Sequence, residues 1–529
     1  MKTFSSLIFL LLIISICKLS YCQSTYFNNL YHLGDPNTWS GASTLGEDEN
    51  GYVIWGKTGV NIGLIKLNHN GEQIWYKTWG DSIASWYVGY PGSLASINNE
   101  HYLAGSKNYY SPIEYDVGLL MKLNSNWDTI WTKEFDMNMD ADPDTSTLIN
   151  QMDICNNGDL VFGGGIYKPS IGSKFLLIRT DTAGNLLWFK TYSYSKATIN
   201  DGYSVIQTSD SGFAIGGFWY IPGSSSATGD PIIIKTDSMG NQEWIKNLGG
   251  PIVDNRAMLC KANDGNIIMG TTIADILIGG TSTKSRINIV KLDNEGDILW
   301  NKKYGESSIS NYLSTIRSLD DGSVICTGSV RSEIPWNSGW ILKLSSEGDS
   351  LWYRQYYLLS GESTYNRLRD IISTSDSGYL ACGYISPISP DTGIQSAWVI
   401  KLDSIGCDSA GCDTTVGITE EQGSGEAGKQ GGMEIWPNPA KEIVNCQLSI
   451  VDSRSNCSLM IYDIFGREVT ANLISSPRVG GGREGGADGR EKGWQSWIVD
   501  VSSLPPGIYL AVVREGHMIE RSAKFIIAR

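Results

Sequence analysis

Apolar and polar residues alternate along most of this chain in short runs, and the runs break at Gly, Asp, Asn and Ser. The stretch from Tyr203 shows the pattern. Tyr203-Ser-Val-Ile-Gln207 alternates, which puts one face in a core and predicts a strand. Asp210-Ser211-Gly212 predicts a turn, because Asp caps its own backbone and Gly accepts a positive φ. Residues 213–217 predict a second strand, 219–230 a longer loop, 232–236 a third strand, 237–240 a turn and 244–248 a fourth strand. No window carries the helical period, so the expected class is all-β.

The four-strand unit recurs. Lys291-Leu-Asp-Asn-Glu-Gly-Asp-Ile-Leu-Trp300 is echoed from Lys66 and again from Lys343. Aligned on its basic residue, the phrase stands at Lys66, Lys122, Arg179, Lys235, Lys291, Lys343 and Lys401, at intervals of 56, 57, 56, 56, 52 and 58 residues. Its tryptophans are Trp75, Trp131, Trp188, Trp244, Trp300 and Trp352. A fixed period of this size marks one supersecondary unit in tandem, and antiparallel four-stranded units in tandem build a β-propeller. The seventh unit stops at Gly406, short of its fourth strand. Residues 25–34 loosely match a fourth strand such as 298–305. They are expected to complete the last blade and remove an exposed edge. The prediction is a seven-bladed β-propeller over 23–406. Within the phrase, Gly296 allows a tight turn, Asp293 caps it, and Trp300 is expected to pack on the next blade. The phrase resembles the tryptophan-docking repeat of quinoprotein-type propellers and, more loosely, the Asp-box turn of sialidases. It recurs in every blade, so it reads as structure and not as a site.

Composition fits this picture: 60 Gly, 18 Trp and 26 Tyr in 529 residues suit turns and aromatic packing. The formal net charge of −15 argues against nucleic acid as a partner. Lys2 followed by an apolar run over 7–16 reads as a signal peptide, cleaved before Gln23. Bulky Tyr21 and Ile16 oppose lipid attachment at Cys22 or Cys17. No later run is long enough to be a transmembrane segment. Export permits disulfides, and bridges are expected at Cys407–Cys412 and Cys446–Cys457. Cys155, Cys260, Cys326 and Cys382 read as buried thiols.

After Gly406 the composition changes. Residues 407–432 read as a flexible linker, rich in Gly and acids. Residues 433–529 alternate and turn as a small β-sandwich does. This tail carries Pro437-Asn438-Pro439, then Tyr462-Asp463 with Gly466-Arg467, then Leu504 with Gly507-Ile508-Tyr509. In that order these motifs resemble the type A C-terminal sorting domain of type IX secretion substrates. The resemblance implies a Bacteroidetes-type envelope, the Sec and type IX machineries as partners, and a secreted or outer-surface location. The insert 479–493 departs from the family and reads as a tolerated loop. The repeats resemble the propeller-like repeats that such exported proteins carry.

Function is expected where the blades differ. The strand one–two and three–four turns lie on one face and are repetitive. The two–three loops and blade connections lie on the other and vary, as binding loops do. Trp86, Tyr87 and Tyr90 stand in one blade connection; Tyr109, Tyr110, Trp219, Tyr220 and Trp336 stand in two–three loops. Such rings suit stacking on sugars or packing on a protein. Asp140, Asp142 and Asp144 offer alternate carboxylates for Ca2+, but the loop lacks the glycine and final glutamate of an EF-hand. No other cofactor is indicated. Catalytic signals are poor: His32, His69, His101 and His517 make no metal pair, and no G-x-S-x-G elbow exists. A quinoprotein dehydrogenase reading lacks that family's adjacent cysteine pair. A sialidase-like reading would need an arginine cluster, and Arg317, Arg367 and Arg369 fall near strand one of neighbouring blades. The expectation is a non-enzymatic surface or secreted module for glycan or protein. The alternatives are a polysaccharide hydrolase or lyase at the channel mouth, and a scaffold for other exported subunits.

Overall fold

The computed structural model describes residues 26–111, 114–137, 145–168, 172–194, 199–220, 229–249, 254–275, 284–305, 309–331, 337–361, 363–388, 392–409, 412, 420–422, 433–436, 441–450, 457–463, 469, 472–481, 493–505, 507–515 and 518–527. Among them every regular element is a β-strand. In the unit around Tyr203 the strands Ile199–Gln207, Phe213–Tyr220, Gly229–Thr236 and Gln242–Asn247 pair in order, each antiparallel to the next. The second and third strands run further than their apolar cores predict. Trp219 and Tyr220 therefore lie on a strand, not in the loop expected of them. The polar residues at the strand ends still find ladder partners, so the pairing outlasts the hydrophobic pattern.

The first strands are Ser40–Asp48, the split pair Ala84–Val88 and Leu94–Ile97, Ser146–Ile154, Ile199–Gln207, Met258–Lys261, Asn311–Ser318 and Tyr365–Ser373. Each opens a four-stranded group, and these seven groups touch in chain order through their first strands. The Asn150 side chain donates to the Gly202 carbonyl at 2.7 Å. Ser204 donates to Ala257 at 3.2 Å, and Ser314 to Leu368 at 2.8 Å. The ring closes where Thr44 in the first group donates to Asp370 in the last at 2.8 Å.

The last group takes its fourth strand from the N-terminus. Phe27–Tyr31 pairs antiparallel with Ser396–Leu402, from Phe27 opposite Lys401 to Tyr31 opposite Ala397. Its side chains also stand in for the repeat. In five groups the tryptophan lies over the turn glycine of the following group. A Cβ on Gly184, Gly240, Gly296, Gly348 or Gly406 would come within 2.7–3.0 Å of Trp131, Trp188, Trp244, Trp300 or Trp352 respectively. At Gly71 the same place is filled by Phe27, 2.7 Å from a built Cβ. Four residues beyond the aromatic, a tyrosine donates to that glycine's carbonyl: Tyr192 to Gly240 at 2.7 Å, Tyr356 to Gly406 at 2.6 Å, and Tyr31 to Gly71 at 2.6 Å. Glycine is required twice over at Gly296, by φ of +84° and by the indole above it.

The basic residue of the phrase has a partner in its own group. Lys235 meets Asp210 at 2.6 Å, Lys291 meets Asp264 at 2.6 Å, Lys343 meets Asp321 at 3.1 Å and Lys401 meets Asp376 at 2.8 Å. Lys66–Asp48, Lys122–Glu100 and Arg179–Asp159 are the equivalents. The acid belongs to the strand one–two turn, or to the strand residue at its edge at Asp48 and Glu100, so this pair ties that turn to strand three. A buried lysine needs such a partner.

The C-terminal residues form two sheets. Met433–Trp436, Ile443–Ile450, Gly493–Asp500 and Asn472–Gly481 make one; Cys457–Asp463, Gly507–Glu515 and Met518–Ile527 make the other. Cys446, Ile461, Trp497, Val499, Leu504 and Tyr509 are packed in their core. The Cys407–Cys412 disulfide is present. The expected Cys446–Cys457 bridge is not: Cys446 is a free, buried thiol. The two cysteines do not flank a hairpin, because Ile443–Ile450 and Cys457–Asp463 belong to different sheets. Cys155, Cys260, Cys326 and Cys382 are free and buried. The linker is not wholly unstructured either. Glu420–Gln422 adds to the outer edge of the fifth group, opposite Lys302–Tyr304, and so covers a strand edge.

Candidate functional site

A bulge on the first strands shapes the axis. In five groups one residue is skipped by the ladder: Ser43, Asn150, Tyr203, Ser314 and Arg369. In the second group the strand breaks between Val88 and Leu94, which sends Tyr90 out of the pairing. A bulge re-aims a side chain that would otherwise follow the pleat. Here it delivers side chains to the centre of the ring.

Ser314 and Arg369 from the bulges and Tyr90 from the break line a cavity of about 120 Å³ there. Its wall includes Tyr90, Arg256, Tyr312, Arg367, Arg369 and Tyr384. These come from the second, fifth, sixth and seventh groups. They stand at the starts of first strands and the ends of second strands, the end that carries the blade connections and two–three loops. The three arginines rest on aromatic rings. The Arg256 guanidinium lies 4.4 Å from the Tyr90 ring centre and 4.8 Å from Tyr203, and donates to the Tyr90 hydroxyl at 3.2 Å. Arg367 lies 5.1 Å from Tyr365, and Arg369 5.3 Å from Tyr384. The Nε–H groups of Arg256 and Arg367 are buried without a hydrogen-bond partner. No Asp or Glu is among the lining residues. Burial chiefly, then Tyr90 and Asp201, push the Tyr203 phenol up, so it stays protonated beside Arg256. Burial likewise raises the Asp201 carboxyl.

Arg317 leaves the expected cluster. It grips buried Asp370 through two nitrogens, at 2.8 Å and 3.0 Å, and its charge is spent there. Arg256 was not singled out by the sequence. Its signal is position: it precedes a first strand, as Arg367 and Arg369 open theirs.

The predicted aromatics do not gather on one surface. Of those that the structure describes, Tyr90 alone lines the cavity. Trp86 is buried, its indole N–H donating to Asp81 at 3.1 Å. Tyr87 is exposed, with the Lys57 ammonium over its ring. Tyr109 stacks on Tyr115 at 5.3 Å and donates to Glu134, while Tyr110 is exposed. Trp219 packs on Tyr194 at 5.0 Å and Tyr220 on Phe218 at 5.7 Å. Trp336, Asp140, Asp142 and Asp144 lie outside the described residues, as do Pro437, Asn438, Pro439, Gly466 and Arg467. Asp463 ends one strand of the sandwich and Gly507 begins another. Tyr509 is buried and donates to the Pro505 carbonyl at 2.8 Å. Among the described residues no three His, Cys, Asp or Glu side chains converge on a metal position, and no helix is long and apolar enough to cross a membrane.

Comparison with known proteins bears on the tail first. Residues 434–479 match the secretion system C-terminal sorting domain. The chain is a substrate of type IX secretion, and its destination is the cell exterior or the outer surface. No curated protein matches the chain. Among solved structures, an alpha-L-arabinofuranosidase from Fusarium graminearum, in complex with an iminosugar inhibitor, is 7% identical with a TM-score of 0.36. The match covers 72% of this chain and 98% of that one. An alpha-L-arabinanase of Penicillium chrysogenum, complexed with arabinobiose, is 8% identical over 71% of this chain and 97% of its own, with a TM-score of 0.35. A Synechocystis apocarotenoid oxygenase mutant is 12% identical over 76% and 97%, with a TM-score of 0.34. At these identities and scores nothing about chemistry transfers.

Proposed function

We propose that the exported ring is a non-enzymatic binding module for glycan, with its site in the axial cavity at the variable-loop end. The domain reading that goes with it is a cleaved leader over 1–22, a propeller over 23–406, a connecting segment over 407–432 and the sorting domain over 433–529. One observation carries the proposal: three arginines with no acidic partner among the described residues share a cavity with tyrosines, and no carboxylate is among the described residues that line it. Guanidinium and phenol groups hold polar ligands, and tyrosine rings stack on sugar faces. A glycosidase needs two carboxylates facing its substrate, and the described residues of this wall supply none. The test is release of reducing ends from a polysaccharide panel incubated with the full chain, beside saturable retention of the same polysaccharides. Retention without release is the expected result. Turnover that is lost on changing a cavity residue would overturn the binding reading.

A further inference from the structure

We propose that the axial cavity takes the carboxylate of a terminal acidic sugar on a glycan. This rests on the binding reading above and names its ligand class.

Three positive charges at the axis have no acidic counterpart among the described residues. The strand-three bases each have an acid, and Arg317 has Asp370. Arg256, Arg367 and Arg369 have no described carboxylate beside them; two of them bury an Nε–H that donates to nothing. A buried donor left unmade is costly and calls for an explanation. A ligand oxygen arriving in the cavity would satisfy it.

Geometry narrows the ligand. A guanidinium presents a planar fork that matches a planar carboxylate through two parallel hydrogen bonds. The cavity, about 120 Å³, has room for one charged group and part of its ring, not for a chain segment. The rest of the glycan would lie in the mouth beside Tyr312, which is exposed. Net charge narrows it further. The chain carries −15 overall, so a polyanion laid across the surface is repelled along most of its length. A single charge at a chain end meets the three arginines of the wall. Tyr90, Tyr312 and Tyr384 around them favour a sugar over an acidic peptide, since each offers a flat face and a hydroxyl.

The test is calorimetric titration of the full chain with the methyl glycoside of glucuronic acid. The neutral amide of the same sugar, methyl glucoside and a short acidic peptide are titrated in parallel. The acid should bind saturably, and the amide about 10-fold or more weaker, the usual loss when a charged hydrogen bond goes. Arg367→Met should weaken binding by about 10- to 100-fold and leave the melting temperature equal or higher, because an unpartnered buried guanidinium has gone. Arg367→Lys keeps the charge but loses the fork, and should bind between the two. Equal binding of acid and amide would overturn the carboxylate and leave the glycan-binding reading standing. Binding of the peptide alone would overturn the sugar. If no sugar, charged or neutral, binds and no polysaccharide is retained, both readings fall.

Discussion

The N-terminal strand should be the clasp of the ring, and Phe27 should carry most of its hold. Phe27 is 8% exposed and lies over Gly71, with the Tyr52 ring 6.2 Å away. Replacing it by Ala removes a ring that buries roughly 150 Å², about 4 kcal/mol at about 25 cal/mol per Å². That agrees with the roughly 3–5 kcal/mol seen for Phe→Ala in cores. Tyr31→Phe removes the hydrogen bond to the Gly71 carbonyl and the weaker one accepted from Asn29 at 3.3 Å, leaving a buried acceptor unmade at a cost of about 1–2 kcal/mol. The two changes touch the same glycine and should not add. Hydrogen exchange reads the effect locally. Phe27→Ala should speed exchange in 397–401, which pairs with this strand, more than in any other third strand. Tyr304→Phe is the control, because Tyr304 donates to Gly348 in the middle of the ring. It should lower the urea midpoint without touching exchange at 397–401. If Phe27→Ala leaves both midpoint and exchange unchanged, the N-terminal strand does not clasp the ring.

Two further predictions concern the paired bases. Lys401 is fully buried, whereas Asp376 keeps an edge in contact with solvent. Asp376→Ala should therefore cost about 3–5 kcal/mol by stranding a charge, while Lys401→Met should cost clearly less, since the acid left behind can turn to water; urea midpoints of the two variants decide it. For acid stability, burial alone would raise the carboxyls of Asp48, Asp210, Asp264, Asp321 and Asp376. Against burial, the hydrogen bond and charge of each lysine act with neighbouring backbone N–H and side-chain donors, Ser323 first at Asp321, and together hold these carboxyls below the ordinary value of 3.8. A depressed folded-state value means these pairs contribute fully above the unfolded carboxyl range and are lost as pH falls through the folded one. The melting temperature should fall below about pH 4, and Lys401→Met should shrink that fall; a flat profile between pH 5 and 2.5 would refute the assignment.

The repeat made the fold legible and hid the site. Period, turn residues and the missing last strand led to the ring and its closure, because those features recur and each has a local cause. The partner of the repeated lysine was not visible. It depends on which of two turns lies under strand three, and that is a tertiary fact. The aromatics misled for a related reason. Strand ladders run past the apolar pattern, so Trp219, Tyr220 and Tyr109 sit on strands and pack on their neighbours. Cys446 and Cys457 misled because spacing cannot say when a chain crosses from one sheet to the other. The three arginines looked alike in sequence. Only the placement of Asp370 separates Arg317 from the rest.

What distinguishes one blade from another at the axis is the residue on its bulge. That position holds Ser43, Asn150, Tyr203, Ser314 and Arg369. The backbone is the same turn-out of an inner strand each time, so it does not depend on the side chain it presents. Serine already occupies it twice. Arg369→Ser should therefore leave the fold untouched, within about 0.5 kcal/mol, as substitutions away from packed features do. The guanidinium it removes rests on the Tyr384 ring and lines the open cavity, so little packing is lost. Retention of acidic glycan on the full chain should fall by about tenfold. The converse change, Ser314→Arg, adds a fourth positive charge to the same wall and should slow release of an acidic ligand if the cavity reads charge. If Arg369→Ser unfolds the ring, the bulge side chain is structural after all, and the axis has no freedom to evolve a site. If it folds and binds as before, the ligand lies elsewhere on the variable face.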